Sequence, residues 1–128
     1  MKKYTLLLLV LFGMFMLTGC SSGPGKVVER FFQAIEAGEI TEAIGYLSSG
    51  AVQSLGEDKW RALLSQGTAD IEADGGLDKI DIISEEVTGE TAEVEVEFTY
   101  GNGNQDSDTV DLIEEDGDWK IHVDPYSK

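Results

Sequence analysis

The chain has 128 residues, with 25 acidic side chains against 9 basic ones and a formal net charge of −16. Binding a phosphate backbone takes clustered Lys and Arg, so this balance excludes nucleic acid as a partner. The single cysteine excludes an internal disulfide, and the length supports one folded domain rather than two.

At the N-terminus Lys2 and Lys3 precede an apolar run from Leu6 to Leu17, and the small residues Gly19 and Cys20 follow. That order is the pattern of a secretory signal. The run of 12 residues is too short to cross a bilayer as a helix, which takes about 20. Ser21-Ser22-Gly23-Pro24-Gly25 then reads as a polar tether. Leu17-Thr18-Gly19-Cys20 resembles the lipobox of bacterial lipoproteins. The resemblance implies cleavage between Gly19 and Cys20, a diacylglyceryl group on the Cys20 sulfur and acylation of the new amino group. An ordinary cleaved signal would leave Cys20 as an unexplained free thiol in an exported protein. One acyl chain holds a protein reversibly, whereas two or more hold it stably.

The expected organisation is a signal peptide over 1–19, a lipidated cysteine and tether over 20–25, and a folded domain over 26–124. The expected location is the cell envelope, anchored by lipid and facing the periplasm or the exterior. In enteric-type sorting, Ser21 after the cysteine permits transfer to the outer membrane. Loss of Lys2 and Lys3 with the signal leaves 7 basic residues and a charge of −18. Anionic headgroups repel such a domain, so the lipid has to supply the membrane affinity. The acid serves solubility, and it leaves open the recruitment of a basic protein or peptide.

Pro24 can open a helix and Gly38 can close it, with Val27, Val28, Phe31, Phe32 and Ile35 as an apolar stripe between them. A short helix follows, with Ile40, Ala43, Ile44 and Leu47 on one face. A third helix is predicted from Glu57 to about Gln66, burying Trp60, Leu63 and Leu64. From Leu77 the period becomes two. Strands are predicted over Leu77–Val87, Glu90–Tyr100, Ser107–Glu114 and Trp119–Asp124, joined by Gly- and Asn-rich turns that imply consecutive hairpins. In the second strand Ala92, Val94, Val96, Phe98 and Tyr100 alternate with Glu93, Glu95 and Glu97. A slip of one residue would bury three carboxylates, so the apolar set faces the helices. The same alternation turns Trp119, Ile121 and Val123 inward, and Lys120 and His122 outward. The fold class is α+β, helices first and a four-stranded antiparallel sheet after.

Pro24, Val27-Val28, Phe31-Phe32, Ala34 and the Gly38-Glu39 break open a longer pattern. Glu42-Ala43, a helix end at Leu47-Ser48, Ile80 to Val87, Ala92-Glu93-Val94 and Gly117-Asp118-Trp119-Lys120-Ile121 continue it. This resembles the DUF4878 family of small bacterial lipoproteins, in the NTF2-like (cystatin-like) superfamily. The resemblance implies a cone: a curved sheet wrapped round a long N-terminal helix, with two shorter helices closing one side. It brings no activity, although some superfamily members bind ligands or do acid–base chemistry in the cone and others pair through the sheet.

No catalytic motif stands out, and the inward positions are Ala, Val, Phe, Tyr, Trp and Ile, so no enzyme activity and no cofactor are expected. Phe31, Tyr46, Trp60, Phe98, Tyr100 and Trp119 are the candidate lining of a ligand pocket at the mouth of the cone. They are equally the residues that would fill a small core. Asp70, Glu72, Asp74 and Asp81 form a weak calcium-loop pattern with Gly75 at position 6. Its departures are Glu at position 3, Asp at position 12 and a strand where the exiting helix should be. The reading that follows is a lipid-anchored, non-enzymatic domain that binds an envelope protein or a small apolar ligand. The alternatives are an acid–base enzyme and a self-associating module, and the oligomeric state stays open.

Overall fold

The computed structural model describes residues 23–124, so Gly19 and Cys20 lie outside the described residues. Within them four helices precede four strands: α1 (Pro24–Ala37), α2 (Ile40–Gly45), α3 (Ser49–Leu55) and α4 (Glu57–Ala73), then β1 (Leu77–Thr88), β2 (Thr91–Tyr100), β3 (Gln105–Glu115) and β4 (Asp118–Ile121). The strands make one antiparallel sheet in the order β1-β2-β3-β4. This is the α+β arrangement that the change of period announces.

Pro24 starts α1, and Val27, Val28, Phe31, Ala34 and Ile35 recur along it at helical spacing, all buried. Gly38 ends it in the left-handed region at φ 73°, which a glycine adopts without strain. Pro24 and Gly25, placed in the tether by the sequence, belong instead to the buried first turn of this helix. There the Gly25 N–H donates to Oε1 of Glu85 at 2.6 Å, so β1 supplies a carboxylate to the positive end of the α1 dipole.

The inner face of the sheet carries Ala92, Val94, Val96 and Phe98 on β2 and Val110 and Leu112 on β3, all buried. Glu93 and Glu95 are exposed between them, in the register that the cost of burying carboxylates requires. β1 shifts register between Leu77 and Lys79 and again between Ile82 and Ser84. Such bulges bend a strand. The second exposes Ile83 and sets Glu85 opposite Val94, on the side that faces α1.

Four expectations need correction. No helix is expected between Leu47-Ser48 and Glu57, yet Ser48 caps one there, α3, by accepting the Ala51 N–H on Oγ at 3.0 Å. α4 continues past Gln66 to Ala73, so the last of the three helices that follow α1 has 17 residues and is not shorter than the 14 of α1. Leu63 is 55% exposed rather than buried. The inward stripe of α4 centres on Trp60, Leu64, Gly67 and Ile71, and Leu63 lies about 70° round the helix from it. Finally β4 stops at Ile121, so Val123 no longer follows the alternation and is 38% exposed.

One end of the cone is closed by backbone against backbone. The Gly101 N–H donates to the Gly76 carbonyl and the Asn102 N–H to that of Asp74, both at 2.9 Å. A Cβ on Gly101 would fall 2.2 Å from the Gly75 carbonyl oxygen, and neither main chain can yield cheaply. Gly101→Ala is therefore expected to cost about 2–3 kcal/mol in urea unfolding. Gly45→Ala, at the end of α2 with nothing within 4 Å, is expected to gain up to about 1 kcal/mol. Equal unfolding midpoints for the two variants would contradict this packing.

Candidate functional site

Beyond Val110 the inner face of β3 carries Asp108 and Asp106, both exposed. The gap between β3, α1, α4 and residues 121–124 is a cleft of about 390 Å³. Its floor is apolar: Phe31, Phe32 and Ile35 from α1, Trp60 and Leu64 from α4, then Val110 and Ile121. Its rim is polar, with Asp108, Asp111, His122 and Asp124 beside the exposed Val123. Trp60 is fixed there by its indole N–H, which donates to the Ala51 carbonyl at 2.8 Å and joins α3 to α4.

A second hollow of about 220 Å³ lies on the other side of Phe32 and Ile35, lined by Gly67, Asp70, Ile71, Leu77, Phe98 and Tyr100. The wall between the two is a chain of edge-to-face rings, Phe31 to Phe32 at 5.2 Å and Phe32 to Phe98 at 4.6 Å. The six aromatic residues singled out by the sequence thus separate. Phe31 and Trp60 line the larger cleft, Phe98 and Tyr100 the smaller hollow, and Tyr46 and Trp119 pack half-buried against the core away from both. Burial pushes the Tyr100 hydroxyl above its ordinary pKa, and the charges of Asp106 and Asp74 add to that. Tyr46 is raised for the same first reason, and its hydroxyl donates to Oε1 of Glu42 at 3.2 Å. Both phenols are therefore neutral hydrogen-bond donors at ordinary pH.

His122 is not the solvated strand residue that alternation implies. It is half-buried, with Nδ1 3.0 Å from Oγ of Ser48, and its backbone N–H still reaches the Asp111 carbonyl at 2.8 Å. The strand has ended one residue earlier, so the outward alternation has lapsed. Ser48 is fully buried, its Oγ accepts the Ala51 N–H and its own N–H donates to the Ile121 carbonyl. A hydroxyl with no solvent access cannot meet a substrate, so this serine–histidine pair ties α3 to β4 and is not a nucleophile with its base. Its signal in the sequence is Ser48 itself, a residue type favoured at helix N-caps.

The four acids of the calcium-loop pattern do not meet. Asp70 and Glu72 stand on α4, Asp74 caps its end, and Asp81 sits in β1 with an oxygen 3.4 Å from Lys79 Nζ. The helix runs through the positions where a calcium loop has to turn. Among the described residues no group of three or more His, Cys, Asp or Glu side chains could hold a metal ion. A third hollow, about 420 Å³, lies at the strand ends and contains Glu86, Glu93 and Asp111, which stand in register across three strands. Like charges placed opposite one another cost stability and define no ligand on their own.

Ser48→Ala removes the α3 cap and the partner of His122 together. It is expected to cost about 1–2 kcal/mol in thermal unfolding, and an unchanged midpoint would show that the cap carries no weight.

Helices packed in the bend of a four-stranded antiparallel sheet, with the cone open on one side, define an NTF2-like α+β domain. Solved structures support that class. A putative NTF2-like transpeptidase from Campylobacter jejuni is 19% identical with a TM-score of 0.72, over 80% of this chain and 100% of that one. A SEC-C motif containing protein from Rhodopseudomonas palustris is 13% identical with a TM-score of 0.54, over 76% and 73% of the two chains. A de novo designed NTF2 fold protein is 19% identical with a TM-score of 0.51, over 82% and 89%. A comparison with curated proteins gave no match. The family model described as "Domain of unknown function (DUF4878)" matches residues 18–122, and the chain belongs to that family.

Proposed function

We propose that this protein is a lipid-anchored envelope component whose NTF2-like domain binds without catalysing, taking an apolar ligand or an apolar group of a partner protein into the apolar-floored cleft beside β3. The observation that carries the reading is the half-open cleft itself. Its volume of about 390 Å³ falls within the range of roughly 300–1,000 Å³ typical of ligand sites, and its floor is aromatic and aliphatic. Acid–base chemistry would need a carboxylate, a histidine or a phenol on that floor. Asp108 and Asp111 are exposed at the rim instead, and His122 is engaged with Ser48. Self-association through the outer sheet face is opposed by Glu93, Glu95 and Asp111, which would meet their own copies.

The anchor is proposed from Leu17-Thr18-Gly19-Cys20 and from the lone thiol that it explains. α1 begins at Pro24, so a lipid on Cys20 would hold the folded domain within a few residues of the membrane. Cys20→Ala is expected to move the protein from the membrane fraction to the soluble one, and full retention would contradict the anchor. Native mass spectrometry of the cell-extracted chain is expected to show a non-covalent apolar adduct or partner. A bare chain in gentle extraction would contradict the binding role.

A further inference from the structure

The first half of β3 is a regular sheet edge. The Glu114 N–H donates to the Glu90 carbonyl, so even-numbered residues of β3 aim their N–H and C=O groups at β2 and odd-numbered residues aim theirs away. The His122 N–H on the Asp111 carbonyl fits this polarity. β4 pairs only with Leu112 to Glu115. Among the described residues no strand pairs with the outward groups of Gln105, Ser107 and Thr109, and all three residues are exposed. The opposite edge, β1, is broken by its two bulges, whereas β3 keeps one register along its whole pairing with β2.

Two carboxylates guard the edge. Asp106 and Asp108 stand opposite Phe98 and Val96, on the inner face, and each accepts the N–H of the next residue at 2.9 Å, Ser107 and Thr109 respectively. Charges of this kind on an edge strand oppose pairing with a like-charged strand, which disfavours a second copy of this chain. A strand carrying Lys or Arg has the opposite effect. Its cations draw the two carboxylates toward themselves and release the Ser107 and Thr109 N–H groups for main-chain pairing. The cleft opens beside this same stretch, since Asp108 and Thr109 line it.

We propose that the edge from Gln105 to Thr109 accepts an extended, basic segment of a partner protein as an added strand, with one apolar side chain of that segment entering the cleft. Main-chain hydrogen bonds hold such a strand while alternate side chains select it. The acidic edge supplies preference for the cationic partner and speeds its arrival. The proposal rests on the binding reading of the cleft and adds the chemistry of the partner.

The test uses the full chain in detergent and two end-blocked peptides of seven residues, one of sequence Lys-Lys-Val-Val-Lys-Lys-Val, so that each strand face carries both lysine and valine, the other with glutamate in place of lysine. The lysine peptide is expected to bind at least about tenfold more tightly, to weaken as salt rises, and to slow amide exchange at Ser107 and Thr109. Ser107→Pro deletes an outward N–H and leaves the β2 ladder whole, so it is expected to lose about tenfold in peptide affinity while folding normally. Should that variant unfold, the double change Asp106→Asn with Asp108→Asn is expected to erase most of the preference for lysine over glutamate. Ser107 does not line the cleft, so Ser107→Pro keeps any apolar adduct seen by mass spectrometry, and loss of that adduct from the unaltered chain defeats the cleft reading instead. Failure of the lysine peptide to bind, equal binding of both peptides, or unchanged binding by Ser107→Pro overturns the proposal. Binding that appears only after residues 125–128 are removed overturns it too, by assigning the edge to the chain's own end.

Discussion

The constraint on which this domain depends is that one helix has to cover the inner face of a bent sheet. Val28 on α1 and Val94 and Val96 on β2 have no solvent exposure, and burying side chains of this size contributes about 1.5–3 kcal/mol each. The two bulges of β1 supply the bend, and the Glu85 carboxylate on the Gly25 N–H fixes where α1 enters it. At the other end of α1, the Thr68 hydroxyl of α4 donates to the Ile35 carbonyl at 2.6 Å. Entry and exit of the central helix are thus both held by elements far along the chain.

The site follows from what this arrangement leaves uncovered. β4 has four residues against the eleven of β3, and α4 turns its stripe toward α1 rather than toward β3. The inner face of β3 and its backbone edge therefore end unpaired at the same place. An apolar floor, an acidic rim and a row of outward peptide groups come together there because the last strand ends early and α4 packs on α1. No single residue type marks these features, so the cleft leaves no motif in the sequence.

The parts legible from sequence were those with one dominating energy. Glu93, Glu95 and Glu97 fix the register of β2 because the alternative buries carboxylates, and Pro24 and Gly38 bracket α1 because the backbone of each leaves little choice. Other parts were hidden by competing terms. Asp70 and Glu72 near the C-terminus of α4 oppose its dipole and read as loop, yet packing of Ile71 against the core carries the helix through to Ala73. α3 has only Val52 and Leu55 as large apolar residues, too few to show a stripe, and its real signal is the Ser48 cap. His122 and Val123 continue the alternation of β4 in sequence, so the stop at Ile121, and with it the cleft, could be found only in three dimensions.

The measurement that bears most directly on this account is a two-dimensional NMR titration of the chain with a neutral apolar probe, N-phenyl-1-naphthylamine. A binding cleft requires saturable shifts centred on Phe31, Trp60, Leu64, Val110 and Val123, with Tyr46 and Trp119 still. Shifts scattered over Leu63, Ile83 and Val87, the apolar side chains exposed elsewhere on the surface, would show that the cleft has no preference for a ligand and would contradict the account.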